Sequence, residues 1–225
     1  MKDIFNLFFP KVCEACNSLL RDNEDTICTY CRHDLPVTNF HFNNADTVKK
    51  VLYGRVRLEL ATALFYFSKK GIVQQLIHNL KYRGHENIGT VLGKWLGNEL
   101  ATCKAYETID VVVPVPLHKK RLRKRGYNQV TRFGKEIAKA LNVAYEDKVL
   151  QRVEPSQTQV FKNRLLRSST TDSVFIVENI ALLKHKHILL VDDIITTGAT
   201  VEACSNVLQT IDGIKISLAT MAIAE

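Results

Sequence analysis

Apolar residues fall along the chain in two alternating patterns, short continuous runs and helically spaced series. Ile188, Leu189, Leu190 and Val191 form a run of the kind found in strands buried on both faces. A polar stretch follows, and then Val201, Cys204, Val207, Leu208 and Ile211 recur at helical spacing. The same sequence of events occurs earlier. Residues 109–113 (IDVVV) read as a buried strand, Pro114-Val115-Pro116 stops it by removing a ladder donor, and Val130, Phe133, Ile137, Ala138 and Leu141 mark a helix with Asn128 as N-cap. Residues 51–67 favour strands, with Leu58, Leu60, Ala61, Leu64, Phe65 and Phe67 as the apolar content. Two helices come next. Ile72, Val73, Leu76, Ile77 and Leu80 mark one that ends near Gly84 as a C-cap, and Ile88, Val91, Leu92, Trp95, Leu96 and Leu100 mark the other. Residues 214–223 supply a closing strand. Buried strands alternating with amphipathic helices predict an α/β fold with a mainly parallel sheet.

Two segments lie outside this rhythm. Residues 40–50 are polar and predict a linker. Residues 152–175 are rich in Ser, Thr, Gln and Arg with little periodicity, the composition of a functional lid or a disordered loop.

The 225 residues accommodate one large α/β domain and a small appendage. The division expected is residues 1–39 as an N-terminal helix with a metal module and 40–225 as the main domain. Within the latter, 40–105 form accessory strands and helices and 106–225 the ligand-binding core. The first nine residues (MKDIFNLFF) read as a short docking helix, with a lipid-surface anchor as the alternative. The acid at position 3 and the short apolar run argue against a signal peptide. No stretch reaches the ~20 apolar residues of a membrane span. A cytoplasmic location is therefore expected.

Cysteine spacing adds the first candidate chemistry. Cys13, Cys16, Cys28 and Cys31 form two CxxC knuckles separated by eleven residues. Each knuckle places two thiolates on a tight turn, and two together complete a closed, structural, tetrahedral Zn²⁺ site. Two disulfides or a redox pair are the alternatives, and the lack of an export signal favours metal. So small a segment cannot hold its shape by core burial alone, so the metal supplies folding energy.

The charge is localised. The chain carries a net +8, and residues 118–135 contain eight cations and no acid, so the remainder is neutral. Such a patch suits polyanions, either pyrophosphate or single-stranded DNA. The cysteine module does not share it: Lys11, Arg21 and Arg32 are outnumbered by Glu14, Asp22, Glu24, Asp25 and Asp34. Lys81 to Gly84 (KYRG) reads as a helix C-terminus that favours cations, not as a chemical motif.

The richest stretch follows the 188–191 run. Asp192 and Asp193 are adjacent carboxylates, and Thr196, Thr197, Gly198, Ala199 and Thr200 make a hydroxyl-rich turn into a helix. First-turn N–H groups, threonine hydroxyls and a glycine suit a phosphate, and the carboxylates suit sugar hydroxyls beside it. A ribose 5-phosphate matches that arrangement. Residues 188–200 resemble the 5-phosphoribosyl-1-pyrophosphate (PRPP) signature of type I phosphoribosyltransferases at thirteen consecutive positions.

From about residue 8 onward the chain resembles the ComF family of competence-associated proteins, which join an N-terminal zinc motif to a phosphoribosyltransferase-like domain. The four cysteines, LKYRG at 80–84, VPVPLHKKRLRKRGYNQ at 113–129, and Arg152, Thr158, Gln159 and Arg167 carry the likeness. The family's aromatic–acid–asparagine step after the arginine is replaced here by Ser168, Ser169 and Thr170, which leaves the roles of Arg164 and Arg167 open. The resemblance implies PRPP with Mg²⁺ as ligand. It assigns Asp192 and Asp193 to the ribose hydroxyls, residues 196–200 to the 5-phosphate, and Pro114, Val115, Pro116, Arg125, Gly126 and Asn128 to the pyrophosphate side. It implies structural Zn²⁺ on the cysteines. It also leaves two functions: an accessory in uptake of transforming DNA, working with competence or DNA-processing proteins, or a phosphoribosyltransferase of unknown acceptor.

Overall fold

A computed structural model describes residues 10–43, 45–153 and 174–224. The expected docking helix at 1–9 lies outside them, as do Thr158, Gln159, Arg164, Arg167, Ser168, Ser169 and Thr170.

The sheet is made of β1 (Ala61–Phe67), β2 (Val111–Pro114), β3 (Ala144–Tyr145), β6 (His187–Ile195) and β7 (Lys215–Ala224). Its order is β1-β7-β6-β2-β3 and every pair is parallel. A two-stranded antiparallel ribbon, β4 (Leu150–Arg152) with β5 (Phe175–Val177), lies apart from it. The α/β expectation holds.

Strand alternation sorts the core into two layers. Val112, Leu189 and Val191 face α4 (Ile72–Tyr82), α5 (Asn87–Ala101) and α7 (Thr131–Leu141). Val111, Val113, Ile188 and Leu190 face the other way, against α2 (Phe40–Asn43), α3 (Thr47–Val51) and α8 (Ala199–Leu208). The chain leaves β2 toward β3 on one side and returns to place β6 on the other, so a topological switch point lies between β2 and β6.

The structure corrects several local expectations. Residues 40–50 are not a linker: Phe40, His41 and Val48 are buried as parts of α2 and α3, and sparse apolar residues anchor two short helices. Within 51–67, only Ala61–Phe67 is a strand. The segment before it turns at Gly54, with φ +73°, and then runs beside β7 through the bonds Glu59 N to Ile216 O and Leu60 N to Ser217 Oγ. The cations after Pro116, which carry no apolar periodicity, form a seven-residue helix, α6 (Lys119–Arg125). Its like charges repel at helical spacing, yet His118 caps it by accepting from Lys120 N, and Gly126 at φ +85° closes it through a bond to Leu122 O. The N-cap of α7 is Val130, and Asn128 instead braces the preceding turn. The strand bearing the acids does not end at them, for β6 stays paired with β7 as far as Ile195.

Gly89, Gly93 and Gly97 recur every fourth residue on the face of α5 that meets α7. A Cβ at Gly93 lies 2.6 Å from Phe133 O and 2.9 Å from its Cα, so the two backbones pack with no room for a methyl group. Gly93→Ala gains helix propensity of about 1 kcal/mol but forces the helices apart at a larger cost, typically about 1–3 kcal/mol. A lower urea midpoint is expected, and an unchanged or higher one contradicts this account of the interface.

Candidate functional site

β2 is shorter than β6, and this difference creates the site. The last β2–β6 pair is Pro114 with Val191, reinforced by Val115 N donating to Val191 O at 2.9 Å. Beyond Val191 the strand keeps β7 on one side, with Asp192 beside Thr220, while its β2 edge is open. Both carboxylates sit on that open edge, at 8% and 5% exposure.

Being consecutive on a strand, the two carboxylates point to opposite faces of the sheet. Asp193 points toward α4 and α7. Its Oδ2 accepts from Lys81 Nζ at 2.9 Å and from Gln129 Nε2 at 2.6 Å, and Gln129 Oε1 accepts in turn from Arg125. Lys81 lies in the last turn of α4, which is held in place by the Tyr127 hydroxyl donating to Leu80 O. Asp192 points toward α8, and its Oδ1 accepts from Asp193 N at 2.8 Å. Burial, with the Asp193 charge beside it, pushes the Asp192 carboxyl up to about 8.

A cavity of about 510 Å³ opens above the acids. Asp192, Asp193 and Ile194 form one side, Val115 and Pro116 another, and Thr200 contributes from the start of α8. Five cations face it: Lys81, Arg121, Lys124, Arg125 and Arg152. Arg121, Lys124 and Arg125 come from one face of α6, whereas Lys119 and Leu122 line a separate cavity of about 310 Å³ with Pro114 and Asn128. Arg152 Nε is buried and has no hydrogen-bond partner among the described residues.

Of the expected ligand-binding residues, the structure therefore brings Asp192, Asp193, Thr200, Val115, Pro116 and Arg125 to one cavity. Thr196, Thr197 and Ala199 are exposed beside it. Pro114 and Asn128 lie on the neighbouring cavity. Asn128 has both ends engaged, donating to Val115 O at 3.0 Å and accepting from Val130 N at 3.3 Å. Gly126 serves as the C-cap of α6. Gly198, at φ +77°, has Leu52 where a side chain would stand, 2.5 Å from an ideal Cβ. Arg55 fixes the same loop by donating to Thr197 O at 2.7 Å and pairing with Glu202, also at 2.7 Å. Arg55 and Leu52 carry no motif in the sequence. Lys81 does, within LKYRG, but dipole stabilisation at a helix end accounted for it equally well.

The four cysteines form a second cluster. Cys13 and Cys16 lie on a turn closed by Asn17 N bonding to Cys13 O, while Cys28 caps and Cys31 belongs to α1 (Thr29–His33). All four Sγ atoms lie within 4.8 Å of one another, and Cys16 and Cys28 are 3.8 Å apart. A tetrahedron with metal–sulfur bonds of about 2.3 Å has edges of about 3.8 Å, so the cluster can hold a metal ion. Backbone N–H groups of Ala15 and Cys28 point at Cys13 Sγ, at 3.4 and 3.3 Å, as expected around a thiolate. The module is attached to α4 and α5. Asn79 donates to Glu14 O at 2.7 Å, His85 pairs with Glu14, and Asn87 donates to Thr26. Among the described residues no helix is long and apolar enough to cross a membrane.

Residues 130–223 match the family described as "Phosphoribosyl transferase domain". The DNA utilization protein YhgH of Escherichia coli K12 is 26% identical over 200 residues, covering 88% of this chain and 83% of the relative. Competence protein ComFC of Streptococcus pneumoniae is 30% identical over 143 residues, covering 64% and 60%. Competence protein F of Haemophilus influenzae is 26% identical over 140 residues, covering 60% of each. That domain match and these competence and DNA utilization relatives support a phosphoribosyltransferase-like protein similar to the ComF family.

Proposed function

We propose that this protein binds PRPP with Mg²⁺ in the cavity between β2 and β6, and that it serves the uptake or processing of DNA. The open edge of β6 carries this reading, because it presents two carboxylates to a cavity that five cations also line. A ribose carrying phosphates at both ends needs that division of charge.

Asp192 accepts from the ribose hydroxyls. Asp193 is held by Lys81 and Gln129 and fixes the strand edge on the opposite side. The hydroxyl of Thr200 and the N–H groups at the start of α8 take the 5-phosphate, with the loop braced by Arg55. Arg121, Lys124, Arg125 and Arg152 neutralise the pyrophosphate. Mg²⁺, when bound, screens charge between pyrophosphate and carboxylate. The DNA role draws on the relatives' names and on α6, whose residues include no buried one and which continues the cation-lined wall onto the surface. Zinc is the metal proposed for the four thiolates, on the tetrahedral spacing of the sulfurs.

Calorimetric titration with PRPP and Mg²⁺ tests the reading. The wild type is expected to bind, and Asp192→Asn with Asp193→Asn to reduce affinity by roughly 100-fold or more, as loss of charged hydrogen bonds of about 1.5–3 kcal/mol each implies. Unchanged affinity in the double variant rules the site out. Pyrophosphate release with a free acceptor, and no binding of single-stranded DNA at low salt, would favour a metabolic transferase instead.

The raised Asp192 gives a second test, in the ligand-free protein. Its folded pKa lies above the unfolded carboxyl value of about 3.9, so the folded state keeps a proton that the unfolded state releases. The stability from this group is therefore complete below pH ~4 and lost as pH rises toward about 8. Asn carries no such dependence and still accepts from Asp193 N. Asp192→Asn is expected to melt near the wild-type temperature at pH ~4 and several degrees above it at pH ~8, at about 2–4 °C per kcal/mol. A difference that is constant or reversed with pH contradicts the assignment.

For the metal, one equivalent of zinc per chain is expected by elemental analysis of protein purified without chelator. Less than half an equivalent overturns the assignment.

A further inference from the structure

Three tyrosines project far into solvent: Tyr30, Tyr53 and Tyr82 are 77%, 87% and 69% exposed. Of these only Tyr82 lines the cavity above the acid pair. Exposing an aromatic ring of this size leaves apolar area in water, and the last turn of α4 does not need an aromatic residue for its own stability. The ring also has a cation and a second ring beside it. The guanidinium carbon of Arg125 lies 5.6 Å from its centroid, and the His78 ring meets it at 5.1 Å with an interplanar angle of 47°. Arg121 and Lys124, on the same face of α6 as Arg125, stand along the same cavity wall.

An exposed π-face beside a row of cations is the arrangement that binds a base and its phosphates together. Stacking supplies affinity without sequence preference, and the cations neutralise the backbone. The position along the chain ties this platform to the acid pair. Lys81, the residue before Tyr82, holds Asp193, and Arg125, which covers the ring, donates to the Gln129 that also holds Asp193. The ring therefore sits at the mouth of the cavity whose floor is the carboxylates.

We infer that Tyr82 is a stacking platform for a nucleobase, which lies on its exposed face while Arg121, Lys124 and Arg125 take the attached phosphate. The inference rests on the reading of this cavity as a site for phosphorylated ribose, and it names the class of the second ligand. The base can come from a single strand of DNA or from a free nucleotide, since the recognised chemistry is the same.

The test compares two fluorescent probes of about 12 nucleotides, within the site size of single-strand binders. One carries bases and the other is the abasic backbone of equal charge, and both are measured by anisotropy at low salt. The wild type is expected to favour the base-bearing strand by roughly tenfold or more. Tyr82→Leu keeps apolar bulk but removes the π-face, and is expected to bring the preference below about threefold, while Tyr82→Phe preserves it. Equal binding of both probes by the wild type overturns the inference, as does a preference that survives in Tyr82→Leu or one lost equally in Tyr82→Phe. Titration with a nucleoside monophosphate separates the sources. Tyr82-dependent binding of the mononucleotide identifies a free nucleotide as sufficient, and Tyr82-dependent binding of the strand alone identifies single-stranded DNA. If neither base-bearing probe binds, the inference fails. PRPP titration of the wild type stands apart. Its failure, with a Tyr82-dependent base preference intact, overturns the PRPP reading and leaves the platform standing.

Discussion

The unequal pairing of β6 is the constraint on which the site depends. On one side the strand is bonded to β7 through Ile195, and on the other β2 stops at Pro114, which lacks a donor and turns the chain away. Had β2 run two residues further, Asp192 and Asp193 would lie in a strand paired on both sides inside a five-stranded parallel sheet. There, paired carboxylates cannot be solvated or reach a ligand. The proline therefore does more than end a strand. It opens a gap at the switch point, and Arg121, Lys124 and Arg125 line the cavity there.

Holding two acids in that gap has an energetic cost, which the structure meets unevenly. Asp193 receives a lysine and an amide, and Asp192 receives one backbone N–H. The asymmetry follows from the strand's pleat, which sends one side chain toward the α4–α7 layer and the other toward α8. A group left short of partners in the free protein is one that a ligand can complete. The lysine itself depends on distant parts of the chain. Asn79, two residues before Lys81 on the same helix, bonds to the turn between Cys13 and Cys16, so the cysteine module and the acid pair are anchored to one helix end.

The strands, the long helices and the acid-bearing signature were legible because each has a strong period or an unusual juxtaposition. Val111 to Val113 and Ile188 to Val191 are buried on both faces and read as uninterrupted runs. Phe40, Val48 and Leu52 were missed because three scattered apolar residues in a polar stretch show no period, although each is buried. The helix at 119–125 was missed because six like charges in seven residues argue against a helix, and the two caps that stabilise it are contributed by its flanks. Lys81 stands within LKYRG at a helix end, where the helix dipole alone accounts for a cation. Its partner is 112 positions away, and no local pattern records that.

The bracing of the 196–200 loop has a kinetic consequence. Arg55 reaches Thr197 O across 142 residues and Glu202 across 147, and Leu52 fills the space over Gly198. Contacts of such long sequence separation form late, after the entropy of closing the intervening chain has been lost. The β2–β6 and β6–β7 pairs, of shorter separation, can therefore form while the 196–200 turn is still unset. A fragment limited to residues 130–223, the span shared with other phosphoribosyl transferase domains, would have the signature but neither Arg55, Leu52 nor Lys81. For this chain the smallest unit that includes the bracing of the 196–200 loop begins well upstream of the signature, and nascent protein sets that loop only once both halves have been made.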